Sequence, residues 1–182
     1  MSEYNLQNKI GVVILAAGDG KRMQTTVPKV MNLLRDEPLV SHVVKAVEEA
    51  GFALKPVVVV NPRHTLVQEY LGDRAMYTVQ DQQLGTGHAV GCAESVLRDK
   101  AKYIIVLYGD MPFIRPQSLQ HLAEVSEAEQ SAITLMTVVV DDFTDWKAQF
   151  ADFGRIKRDL DGNILGIIEK KDATSEELLI TE

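Results

Sequence analysis

Cysteine is nearly absent from this chain of 182 residues: Cys92 is the only one. That excludes an internal disulfide and any metal site built on cysteines. Cys92 falls in an apolar helical pattern and is expected in the core. Positive charge is also short. Lysine and arginine total 19 against 26 acidic residues, a net charge of −7. Such a chain is a poor general binder of nucleic acid or anionic membrane. A phosphate ligand would therefore need a local cluster of cations and backbone N–H groups. Long apolar runs are missing too. "MSEYNLQNK" is polar, and the apolar run at 10–17 is far too short to span a bilayer. No secretory signal is visible, so the expected compartment is the cytoplasm. There is no internal repeat, low-complexity tract or linker. The rest is an ordinary globular composition, 46% hydrophobic and 25% charged, with enough length for a substantial core.

Two familiar phosphate motifs are incomplete or absent. "GDGKRM" (18–23) begins like G-x-G-x-x-G, but Met23 stands where the third glycine would be. No acidic residue follows the second apolar run to hold a ribose, because Val60 leads into Asn61-Pro62. Both points disfavour a dinucleotide oxidoreductase. A P-loop is excluded, since G-x-x-x-x-G-K-[ST] does not occur.

The apolar pattern alternates between strands and helices. "IGVVILAA" (10–17) is a continuous apolar run, the mark of a strand buried on both faces, and "PVVVV" (56–60) and "YIIVLY" (103–108) read as further buried strands. "AMYTV" (75–79) and "AITLMTVVV" (132–140) read as further strands. Helices are expected at 38–50, capped by Gly51, around 66–71, from Thr86 to Leu97, and from Pro116 to Glu129. Residues 154–169 read as a hairpin turning at Asp161-Gly162-Asn163, and a short acidic helix is expected near 174–179. Repeated strand–helix–strand units imply an α/β fold: a three-layer, Rossmann-like arrangement with a mostly parallel central sheet and a small hairpin extension. Ligands in such sheets sit at the carboxyl ends of strands, which directs attention to the loops after residues 17, 79 and 108.

Four segments there could carry chemistry. The glycine turn at Gly18, with Arg22 and Lys29, suits a polyphosphate, or is a plain strand-to-helix turn with solvated cations. In "VQDQQLGTGHA" (79–89), the Gln80 amide and the backbone at Gly85 and Gly87 could read a pyrimidine edge. The plainer alternative is a glycine-rich turn with Thr86 capping a helix and His88 as a non-catalytic first-turn residue. Asp110 in "LYGDMP" offers a hard oxygen ligand suited to Mg²⁺ on phosphates, or bonds its own turn before Pro112. Glu169 could accept hydrogen bonds from a sugar, or "EKKD" is a solvated charge run.

Taken together and in order, "LAAGDGKRM", "PKV", "QLGTGHA", "LYGDMP", "GRI" and "EKKDA" resemble the sugar-1-phosphate nucleotidyltransferases, or NDP-sugar pyrophosphorylases. The closest likeness is to the N-terminal uridyltransferase domains of the bifunctional N-acetylglucosamine-1-phosphate uridyltransferase/glucosamine-1-phosphate acetyltransferases. The resemblance implies a single nucleotidyltransferase domain over residues 1–182, C-terminally incomplete. It implies nucleotide contacts at Leu15, Ala16, Ala17, Gly18, Gln80, Gly85 and Thr86, and charge neutralisation by Arg22 and Lys29. Asp110 would bind Mg²⁺, and Tyr108, Gly154 and Glu169 would bind the sugar. The implied reaction is in-line attack of a sugar 1-phosphate on the α-phosphorus of UTP, releasing pyrophosphate, with no nucleic-acid or membrane partner. Alternatives are a non-catalytic nucleotide-binding module and a transferase using dTTP or CTP. Oligomeric state is left open.

The sequence departs from the family pattern in three places. Lys21 replaces a usual Thr. "FTDWKAQFADF" (143–153) exceeds the family's short turn, with Trp146, Phe150 and Phe153 expected to pack together. The family's Glu-x-Asn-x-Gly segment is represented at most by Glu182.

Overall fold

The structure is a computed structural model that describes residues 6–18 and 27–182. Arg22 and its neighbours at 19–26 lie outside the described residues. Contacts divide the chain into two compact units, Met1–Thr134 and Leu135–Glu182.

The first unit is built on a four-stranded sheet. β1 (Ile10–Leu15), β4 (Val57–Val60), β5 (Met76–Val79) and β6 (Tyr103–Tyr108) lie in the order β5-β4-β1-β6, and every pairing is parallel. Two further short strands, β2 (Leu33–Leu34) and β3 (Glu37–Pro38), form a separate ribbon. The helices are α1 (Leu39–Ala50), α2 (Leu66–Leu71), α3 (Thr86–Gly91), α4 (Glu94–Leu97) and α5 (Pro116–Glu129).

Alternation along the strands feeds two cores. Ile10, Val12, Ile14, Val58, Val60, Ile105 and Leu107 pack with α1, α2 and α5 on one face. Val13, Val57 and Val59 pack with Ala89 of α3, Ala93 at the N-cap of α4 and Leu97 of α4 on the other. Each fully buried aliphatic side chain contributes about 1.5–3 kcal/mol relative to its exposed state. The expected three layers and parallel sheet are therefore present. α1 ends at Gly51, whose φ of 75° is the left-handed cap the sequence signals.

The structure corrects several expectations in this unit. The helix expected over 86–97 breaks in two. Thr78 Oγ1 donates to the Cys92 carbonyl at 2.7 Å, and Val96 N–H turns back to Ala93 O. That hydroxyl takes a carbonyl the helical ladder would have used. Cys92 is only partly buried, against the second core. β6 is not buried on both faces: Ile104, Val106 and Tyr108 are 39–46% exposed, because β6 is the sheet edge and the short α3 and α4 do not reach across it. Residues 132–140 form no strand. Val140 N–H donates instead to Thr181 O, at 3.0 Å. Apolar content suits a strand, but a ladder also needs a partner, and none is found among the described residues.

The second unit holds the expected hairpin, β7 (Arg155–Arg158) with β8 (Ile164–Ile168). Its turn is closed by Asp159, which accepts the N–H groups of Asp161 and Asn163, and Gly162 adopts a φ of 86°. Arg155 is buried, donates to the carbonyls of Ala151 and Phe153, and lies over the Phe143 ring. Trp146, Phe150 and Phe153 stack edge to face at 6.0 and 5.5 Å, as expected, with Trp146 still 71% exposed. The acidic helix is a single turn, Glu177–Leu179, held by a capping box between Thr174 and Glu177. Among the described residues, no helix is long and apolar enough to cross a membrane.

Three carboxylates in this unit are held at a pKa of about 2. Lys147 and then Thr144 lower Asp142, Lys157 and Thr174 lower Glu177, and Arg158 and Thr137 lower Glu182. Their folded values lie below the unfolded ones, so their contribution is present above the ordinary carboxylate range and is lost as pH falls through it. The thermal midpoint of this unit, followed by fluorescence of Trp146 (the one tryptophan in the chain), is expected to fall steeply between about pH 5 and pH 2. A midpoint unchanged over that range would contradict these pairings.

Candidate active site

All four parallel strands end at one edge of the sheet, and the sequence-predicted site residues of the first unit that the structure describes gather there. Strand order reverses between β1 and β6. The chain moves outward from β1 through β4 to β5, then crosses to β6 on the other side. Such a switch point opens a crevice at the strand ends. Leu15, Ala16, Ala17 and Gly18 leave β1 on one side of it. Gly109 and Asp110 leave β6 on the other.

The two sides are joined at close range. Gly109 N–H donates to Leu15 O at 2.9 Å, and a Cβ on Gly109 would sit 3.1 Å from that oxygen. Only glycine lets β6 turn this close to β1. The turn carries Asp110 to Lys29, whose Nζ lies 2.7 Å from Asp110 Oδ2. Both side chains keep solvent access, so the pair contributes about 0–1 kcal/mol and is easily rearranged by a ligand. Gly18 is exposed, with open space where a Cβ would be.

β5 contributes Gln80, which is 5% exposed. Its Nε2 lies 3.3 Å from Gly85 O and 3.0 Å from His88 Nδ1. Gly85 has φ 106° and ψ 178°, a conformation essentially restricted to glycine. Gly85, not Thr86, occupies the N-cap of α3, and no side chain caps the helix; the expected Thr86 cap is not formed. Tyr108 ends β6 with its side chain half exposed. In the second unit, Gly154 and Glu169 flank the first rung of the hairpin, Arg155 opposite Ile168. A Cβ on Gly154 would press on Ile167 at 3.1 Å. Lys170 pairs with Asp152, whereas no described group donates to the exposed Glu169 carboxylate.

Residues 12–144 match the family described as the MobA-like NTP transferase domain. The chain belongs to that family. Among curated relatives, the bifunctional protein GlmU of Exiguobacterium sp. is 39% identical over 170 residues, covering 93% of this chain and 36% of that protein. GlmU of Caldanaerobacter subterraneus subsp. tengcongensis is 41% identical, covering 93% and 35%. The chain thus spans about a third of the length of these relatives. A solved structure described as a proposed glucose-1-phosphate thymidylyltransferase of Bacillus anthracis, in complex with a sucrose, superposes with a TM-score of 0.70. It is 21% identical and covers 94% of this chain and 69% of that one, a likeness of fold.

Within this NTP transferase fold the structure adds residues that sequence reasoning missed. The Ala17 carbonyl, at the start of the glycine turn, accepts from Asn61 Nδ2 at 3.3 Å and from Gln83 Nε2 at 2.9 Å. Asn61 is buried at the end of β4, and its Oδ1 accepts Arg63 N–H. Two amides from neighbouring loops thereby fix the peptide that leads into Gly18. The signal for Asn61 was its place directly after "VVVV", at the same strand edge as the other loops. Nothing in the sequence marks Gln83. Among the described residues, no group of three or more His, Cys, Asp or Glu side chains could hold a metal ion.

Proposed function

We propose that residues 1–182 act as one nucleotidyltransferase domain that transfers UMP from UTP to a sugar 1-phosphate, N-acetylglucosamine 1-phosphate first among candidates, releasing pyrophosphate. The observation that carries this reading is the Lys29–Asp110 pair just past the point where Gly109 N–H meets Leu15 O, at the switch point of a MobA-like NTP transferase domain.

The turn offers backbone N–H groups to phosphates, and Lys29 offers a cation. Arg22 would add a second cation from the same loop. Gln80, Gly85 and Thr86 would hold the base. Tyr108, at the end of β6, would contact the sugar. Asp110 would hold Mg²⁺ through its carboxylate, a hard oxygen donor suited to that ion, beside the Lys29 ammonium now 2.7 Å from Oδ2. Bound there, Mg²⁺ would supply charge neutralisation on the triphosphate. In-line attack by the sugar phosphate oxygen needs no covalent intermediate and no protein base, so the protein's own work is positioning and electrostatics.

The chain incubated with UTP, N-acetylglucosamine 1-phosphate and Mg²⁺ should release pyrophosphate, and omission of the sugar phosphate should stop it. Saturable UTP binding without turnover would reduce the reading to a nucleotide-binding module. Neither binding nor turnover with UTP, dTTP or CTP across a panel of sugar 1-phosphates would overturn it.

A further inference from the structure

The Gln80 side chain is 95% buried by its 5% exposure, yet only one end of its amide is engaged. The Gly85 carbonyl, 3.3 Å from Nε2, can only accept. The end facing it must therefore be the NH₂. The same nitrogen lies 3.0 Å from His88 Nδ1, so that ring nitrogen accepts and the imidazole carries its proton on Nε2. Both amide hydrogens are thereby used inside the protein. No described group donates to Gln80 Oε1, which leaves the amide one polar atom for a ligand, and that atom accepts.

We infer that His88 is a positioning residue for base selection: it locks the Gln80 amide so that its carbonyl faces the nucleotide. An acceptor in that place selects a pyrimidine with an N–H at ring position 3, uracil or thymine. It disfavours cytosine, whose N3 is itself an acceptor. Had the amide turned over, the NH₂ would face the ligand and the preference would reverse. His88 touches no substrate and acts only through Gln80. It lies in the first turn of α3 with its ring exposed to solvent, so the fold does not require it as core.

This inference rests on the proposed nucleotide site, and the test separates the two. Calorimetric titration of the full chain with UTP and with CTP gives two dissociation constants and their ratio. The unaltered chain is expected to bind UTP more tightly. In His88→Leu the ratio should fall by about 10-fold, the loss of one oriented hydrogen bond, with the thermal midpoint nearly unchanged. A merely structural role would weaken both nucleotides alike and leave the ratio intact. An unchanged ratio in His88→Leu overturns the inference and leaves the nucleotide site standing. Preference for CTP in the unaltered chain overturns the amide orientation. Absence of binding by either nucleotide overturns the site, and the inference with it.

Discussion

Asp110→Asn is expected to cut the rate of pyrophosphate release by about 100-fold or more while leaving the thermal midpoint within about 2 °C of the unaltered chain. The substitution keeps the shape of the side chain and removes one negative charge. In the folded chain that charge faces Lys29 at 2.7 Å. The pair is partly exposed, so its loss costs the fold little. Under the proposed metal role the loss to turnover is larger, because a neutral amide is a much weaker ligand than a carboxylate for a hard cation. The decisive comparison is the metal response. Raising Mg²⁺ should recover part of the Asp110→Asn rate. A variant with undiminished turnover at low Mg²⁺ would remove Asp110 from the proposed site.

Gly109→Val is expected to damage both stability and turnover. Its first added carbon would lie 3.1 Å from the backbone oxygen of Leu15 and 3.1 Å from Val30 Cγ1. Neither neighbour is the free end of a flexible chain. One belongs to β1 at the start of the glycine turn, and the other is a buried core residue next to Lys29. Relief must come from displacing β6 away from β1, at a cost of about 1–3 kcal/mol. The same displacement carries Asp110 away from Lys29. Misplacement by about 1 Å can cost 100-fold in rate. Turnover should therefore fall as far as in Asp110→Asn, but with a lowered melting midpoint. Normal activity and stability in Gly109→Val would show that β6 need not approach β1 so closely.

These two effects meet where a local pattern ends and a non-local arrangement begins. The continuous runs 10–17 and 56–60 announce strands covered on both faces, and they are so covered. Leu39–Ala50 ends at the glycine cap the sequence signals, and Pro116–Glu129 starts at its proline. Asp161-Gly162-Asn163 marks a hairpin turn because its backbone requirement is met within a few residues. The failures have a common cause. "AITLMTVVV" has strand chemistry without a strand's partner. The helix over 86–97 is interrupted by a hydroxyl on β5. "YIIVLY" is apolar on both faces, yet it lies at the sheet edge, where α3 and α4 leave one face open.

The sequence by itself determined the α/β class, the four parallel strands of the first unit and its two long helices. Those follow from periodicity, capping and ordered motifs, which act over a few residues. Only the tertiary structure decided that Lys29 pairs with Asp110, and that Asn61 and Gln83 hold the Ala17 carbonyl. Each of these joins segments far apart in the chain. Their distances are set by strand order in the parallel sheet, and no local pattern encodes that order.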